Sequence, residues 1–84
     1  MFPGFVTLYK DKESKIHLYF FPGIDNNGDV IYKDLDMSKT KLTYKKIEND
    51  DNSKEFIFDR KDIIAMKCKL IKTDGSIDYE DLKL

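Results

Sequence analysis

Turn-forming clusters interrupt this chain so often that no long regular segment survives between them. They stand at Asp11-Lys12-Glu13-Ser14, Pro22-Gly23, Asp25-Asn26-Asn27-Gly28-Asp29, Glu48-Asn49-Asp50-Asp51-Asn52-Ser53 and Thr73-Asp74-Gly75-Ser76. Such residues tolerate positive φ or hydrogen-bond their own backbone. Short runs bounded in this way predict an antiparallel meander, barrel or sandwich. Composition agrees, because Ala65 is the only alanine while Ile, Tyr, Phe and Thr, which suit a pleated surface, are common.

The runs between turns predict strands over Phe5 to Lys10, Lys15 to Phe21, Val30 to Leu35, Lys41 to Ile47, Glu55 to Asp59, Ile63 to Lys72 and Ile77 to Leu84. Asp59-Arg60-Lys61-Asp62 reads as one helical turn or a bend. In the 63–72 run, Ile64, Met66, Cys68 and Leu70 share one face and Lys67 and Lys69 the other. A helix is the rival there, since Ile63, Met66 and Leu70 also make a helical stripe. Asp74-Gly75 decides for a strand, as Asp-Gly between alternating runs signals a two-residue type I′ hairpin. That loop would pair Leu70 with Tyr79 and Lys69 with Glu80, and would need a bulge after Tyr79 to return Leu82 and Leu84 to the core. Phe-Pro-Gly occurs at Phe2 and again at Phe21, and Leu8-Tyr9-Lys10-Asp11 echoes Ile31-Tyr32-Lys33-Asp34. The two offsets differ, so neither echo marks a repeat.

At 84 residues the chain has room for one core, so residues 1–84 form a single domain. The fold class expected is all-β: one small antiparallel meander closing as a barrel or sandwich of six to seven strands. Cys68 is the only cysteine, so no disulfide closes within the chain. Small domains lacking one often gain stability by association. The lone thiol, the absence of a positively charged leader before an apolar run, and the absence of a bilayer-length apolar stretch suggest a cytoplasmic protein and no membrane partner.

The later strands have one apolar and one charged face, as a half-solvated antiparallel sheet should. The early strands do not. Ile16, Leu18 and Phe20 are backed by His17, Tyr19 and Phe21; Phe5 and Tyr9 are backed by Val6 and Leu8; Val30 and Tyr32 are backed by Ile31 and Leu35. No amphipathic helix is present to cover the second side. Each large ring left in water forgoes about 1.5–3 kcal/mol. His17, Tyr19, Phe21, Tyr9 and Tyr32 are therefore the candidate interface, to be covered by loops of this chain, by another copy, by a protein partner, or by a planar ligand.

Catalytic signals are lacking. The Asp25, Asn27, Asp29, Asp36 spacing resembles a calcium loop, but Val30 stands where such a loop requires glycine, so a plain hairpin loop is expected and no metal. One cysteine and one histidine cannot supply a zinc site, and Cys68 falls on an apolar face as a small core residue. There is no phosphate loop, nucleophile elbow or dinucleotide fingerprint, and no cofactor is implied. Fifteen Lys and Arg against sixteen Asp and Glu give no field of one sign. Lys39, Lys41, Lys45 and Lys46 around Tyr44 could serve a single strand of nucleic acid, but more commonly keep an edge strand soluble. The expected function is non-enzymatic binding by protein–protein contact, of inhibitor or adaptor type and self-associating. An oligomeric nucleotide-like ligand binder and a weak single-strand binder are the alternatives. In size and composition, without any motif, the chain looks like the accessory proteins encoded by phages and mobile elements.

Overall fold

Along one early strand Ile16, Leu18 and Phe20 are sealed from solvent while His17, Tyr19 and Phe21 are only half-covered, so strict alternation has become an inner and an outer face. The computed structural model describes residues 1–84, in seven strands: β1 (Phe5–Lys10), β2 (Ile16–Phe21), β3 (Tyr32–Leu35), β4 (Tyr44–Glu48), β5 (Lys54–Phe58), β6 (Ala65–Lys72) and β7 (Ile77–Lys83). They form a four-stranded sheet, β1-β2-β5-β4, and a three-stranded sheet, β3-β6-β7, antiparallel throughout. No ladder joins the two, so the architecture is a sandwich and not a closed barrel. It is also less of a meander than expected: β2 pairs with β5, and β3 with β6, across intervening strands.

The core lies between the sheets. Val6, Ile16, Leu18, Phe20, Phe56 and Phe58 from the first sheet meet Leu35, Cys68 and Leu70 from the second, and Ile63 closes one end. The 59–62 segment is a bend fixed by the Arg60–Asp62 ion pair, at 2.6 and 2.8 Å. Ile64 was expected on the inner face of the following strand, but is 75% exposed while Ile63 is 8% exposed. The strand begins only at Ala65, so the two isoleucines precede its alternation.

All four hairpin-like turns have the same construction. Residue pairs Asp11/Lys15, Asp25/Asp29, Asn49/Ser53 and Lys72/Ser76 close three-residue loops, and the fourth residue of each turn donates its amide back to the first residue's carbonyl. That fourth residue is left-handed in every case: Ser14 at φ 66°, Gly28 at 82°, Asn52 at 67° and Gly75 at 88°. This is a type I turn followed by a G1-type bulge residue. Gly75 therefore ends a three-residue loop and is not half of a two-residue one. The correction shifts the β6–β7 register by one: Lys69 faces Tyr79, Leu70 faces Asp78 and Met66 faces Leu82. Leu82 reaches the inner face without a bulge, and the irregularity lies instead in β3, between Tyr32 and Asp34.

The two Phe-Pro-Gly segments, which the sequence offers only as an echo, lie antiparallel beside each other. They prolong the β1–β2 ladder to a pair of 2.8 Å hydrogen bonds between Phe2 and Ile24. Glycine is required at this crossing. A Cβ on Gly23 would stand 2.3 Å from the Gly4 nitrogen, and one on Gly4 would stand 2.4 Å from the Tyr32 ring.

Candidate functional site

The outer face of the four-stranded sheet is built by register. Phe5 faces Phe21 across β1 and β2. The next row runs Thr7, Tyr19, Glu55, Ile47, and the one after it Tyr9, His17, Ile57, Lys45. The rings brace one another: Phe5 packs at 5.8 Å on Tyr19 and 5.7 Å on Phe21, both tilted, and Tyr9 stacks on His17 at 4.6 Å. Phe5 and Tyr9 nonetheless remain 44% and 43% exposed, and the chain has no helix to finish their burial. Of the five residues singled out from sequence, His17, Tyr19, Phe21 and Tyr9 come together on this face.

Tyr32 does not join them. It lies at the start of β3 with its ring against Gly4, and its hydroxyl donates to Asp78 at 2.6 Å. That bond, then partial burial, pushes its phenol up to about 12.

At the far end of the outer face His17 sits between two carboxylates. Its Nδ1 is 2.7 Å from Glu55 Oε1, and its Nε2 is 2.7 Å from Asp11 Oδ2. Tyr9 donates its hydroxyl to the same Glu55 oxygen. The bond to Glu55, then burial, pushes the Tyr9 phenol up to about 12. The hydrogen bond from Tyr9 comes first, and that from His17 second, in holding the Glu55 carboxyl below its ordinary range. The hydrogen bond from His17 likewise lowers Asp11, which also receives the amides of Glu13 and Lys15. Burial by itself pulls His17 down, but its bonds to Asp11 and Glu55 together more than reverse this, and the net shift is upward. An ionised carboxylate only accepts, so both ring nitrogens must donate, and the species that fits is the imidazolium. While protonated, such a histidine has no free nitrogen with which to act as a general base.

Asp11 and Glu55 were not singled out from sequence. Asp11 is legible only as a turn residue. Glu55 reaches His17 because β2 pairs with β5 across two intervening strands, a pairing without a local sequence signal. The remaining chemistry-bearing residues are dispersed. Lys45 points outward on β4 and Lys46 to the opposite face, so the lysine run makes no single basic patch. Asp25 uses its carboxylate to cap Asn27 and Asp29, at 2.8 and 3.0 Å. Cys68 is buried in the other sheet's inner face, and burial, assisted by Glu80, pushes its thiol up to about 11. A shallow cleft at one end of the sandwich has Phe20, Pro22, Tyr32, Asn52 and Lys54 among its walls. Lys54 is tied there to Asp34 at 3.1 Å.

No helix is long and apolar enough to cross a membrane. Comparison with protein-family models, with characterised proteins and with solved structures finds no match to this chain.

Proposed function

We propose that this chain is a small non-catalytic binding protein that works by protein–protein contact through the outer face of the β1-β2-β5-β4 sheet, and that this face also joins two copies of the chain. The observation that carries the reading is the braced aromatic band of Phe5, Tyr9, Tyr19 and Phe21, in which Phe5 and Tyr9 stand exposed and Tyr19 and Phe21 are partly buried. Rings already held by their neighbours lose little further freedom on docking, so more of the burial appears as affinity. A band with polar surroundings has the layout of an interface core within a rim.

Charge favours a second copy as an occupant. The outward residues near the band include Lys45 and Glu55, with Asp11 at one end. A face of mixed sign meets no strong repulsion from its own two-fold image, and isologous pairing sets apolar centre against apolar centre. The non-catalytic part of the reading draws on the occupied nitrogens of His17 and the buried, protonated thiol of Cys68.

Tyr19→Asp combined with Phe21→Asp tests this reading. The variant should still fold cooperatively, at a lower thermal midpoint because both rings brace Phe5 and Tyr19 faces Glu55, but lose self-association. A variant that associates as the parent does would remove the face from consideration. A small planar ligand is the second reading, favoured by the cleft beside Phe20 and Lys54. It predicts a thermal shift with nucleotides, since ligand at a hundredfold excess over Kd adds about 2.7 kcal/mol.

A further inference from the structure

His17 joins three elements of the fold, two of them near it in sequence and the third 38 residues away. Its ring stacks on Tyr9 of β1, its Nε2 holds Asp11 in the β1–β2 turn, and its Nδ1 holds Glu55 of β5. Asp11 is also the organiser of that turn. While one of its carboxylate oxygens faces His17, the other accepts the amides of Glu13 at 2.8 Å and Lys15 at 3.0 Å. The turn's conformation and the state of the imidazole are therefore linked through one carboxylate.

We propose that His17 is a proton-operated clasp: the imidazolium pins the Asp11–Lys15 turn onto the aromatic face, and loss of its proton releases Asp11 and loosens the turn. A neutral imidazole has one N–H, so one of the two carboxylates must then face a lone pair at 2.7 Å, which is repulsive. Which one gives way follows from solvent access. The Asp11 side chain is 30% exposed and that of Glu55 20% exposed. Asp11 sits in a turn that can rearrange toward water, whereas Glu55 is held in a central strand and already bonded to Tyr9. The neutral ring thus keeps its proton on Nδ1, toward Glu55, and turns its Nε2 lone pair toward Asp11. This is the tautomer less favoured by free imidazole side chains, so the structure predicts an inversion of the usual preference.

The other charged groups near the ring are few. Lys12, Glu13 and Lys15 belong to the same turn, with Glu13 and Lys15 paired at 3.5 Å. Lys45 reaches the same depression from β4. None of them touches the imidazole, and the two carboxylates dominate its surroundings.

The direction in pH follows. The bonds to Asp11 and Glu55 raise the folded-state pKa of His17 above the ordinary histidine value, despite burial. The clasp's contribution is therefore fully present below the unfolded-state value and is lost as pH rises through the folded-state value. A consequence for docking, that the aromatic face changes shape at one end on the alkaline side, rests on the function proposed above. The clasp itself does not, because its readouts lie within a single chain.

The molecule carries its own control. The Asp25–Asp29 turn has the same three-residue construction and the same double cap, Asp25 Oδ1 receiving Asn27 and Asp29, but no histidine. Ring-nitrogen NMR of the full chain across neutral pH, combined with amide hydrogen exchange, is the test. The expected result is a His17 midpoint above 6.5, an Nδ1–H neutral ring, and several-fold faster exchange of Glu13 and Lys15 relative to Asn27 and Asp29 on the alkaline side. Asp11→Asn should lower the His17 midpoint. Equal behaviour of the two turns, an Nε2–H neutral ring, or a midpoint indifferent to Asp11→Asn overturns the clasp. Failure of association with the clasp intact would overturn only the docking function.

Discussion

Gly23 and Gly75 both sit at positive φ, 79° and 88°, yet alanine should have very different effects at the two positions. At Gly75 nothing lies within 4 Å of the added Cβ, so Gly75→Ala incurs only the left-handed penalty, about 1–2 kcal/mol. At Gly23 the same penalty is joined by a collision with backbone: Gly4 N at 2.3 Å, Gly4 Cα at 2.7 Å and Phe2 O at 2.9 Å. Backbone cannot rotate away as a side-chain tip can. The Phe2-Pro3-Gly4 segment must move off, and the two Phe2–Ile24 hydrogen bonds are lost with it. Each is worth about 0.5–1.5 kcal/mol, so Gly23→Ala should cost roughly 2–5 kcal/mol in all. A domain of this length has about 4–13 kcal/mol of stability in total. Urea unfolding followed by circular dichroism reads the difference directly. Thermal midpoints should fall by about 4–8 °C per kcal/mol. Equal destabilisation by the two substitutions would refute the argument that the Phe-Pro-Gly crossing needs glycine for space and not for φ alone.

Other consequences can be measured on the same material. Phe58→Ala empties a fully buried site between the sheets and should cost about 3–5 kcal/mol; a loss comparable to that of an exposed ring would contradict the core assignment. Cys68, with a thiol pushed up to about 11 by burial, should resist alkylation at mildly alkaline pH until the chain is unfolded, and stoichiometric labelling of the native chain would be inconsistent with its placement. In an ultraviolet titration Tyr9 and Tyr32 should ionise only near pH 12, because each donates to a carboxylate. A spectrum lacking any such late component would count against both bonds.

The strands were legible because alternation survives in them: Ile16-His17-Leu18-Tyr19-Phe20-Phe21 states both of its faces outright. Pairing was legible only where a turn joins neighbours, and even there the loop length was misjudged. Asp74-Gly75 fits a two-residue I′ loop by type, but a glycine can equally end a three-residue loop, and the difference shifts every later partner by one. The same construction at Ser14, Gly28 and Asn52 holds the missed signal: three of the four turns open with Asp or Asn and place a residue tolerant of positive φ three positions later. The aromatic face could be read from residue types alone. Its charged end could not, since His17 and Glu55 are 38 residues apart and meet through a non-consecutive strand pairing. Tyr32 shows the opposite failure: alternation grouped it with the exposed rings, whereas the bulge in β3 and the space above Gly4 draw it to another part of the molecule.

Sedimentation equilibrium of the unaltered chain, from dilute to concentrated solution below neutral pH, bears most directly on whether the uncovered aromatic band is a docking surface. A rise in mass toward twice that of the 9.9 kDa chain, reversed by Tyr19→Asp with Phe21→Asp, is the outcome expected. A mass that stays at one chain throughout would contradict self-association through this face.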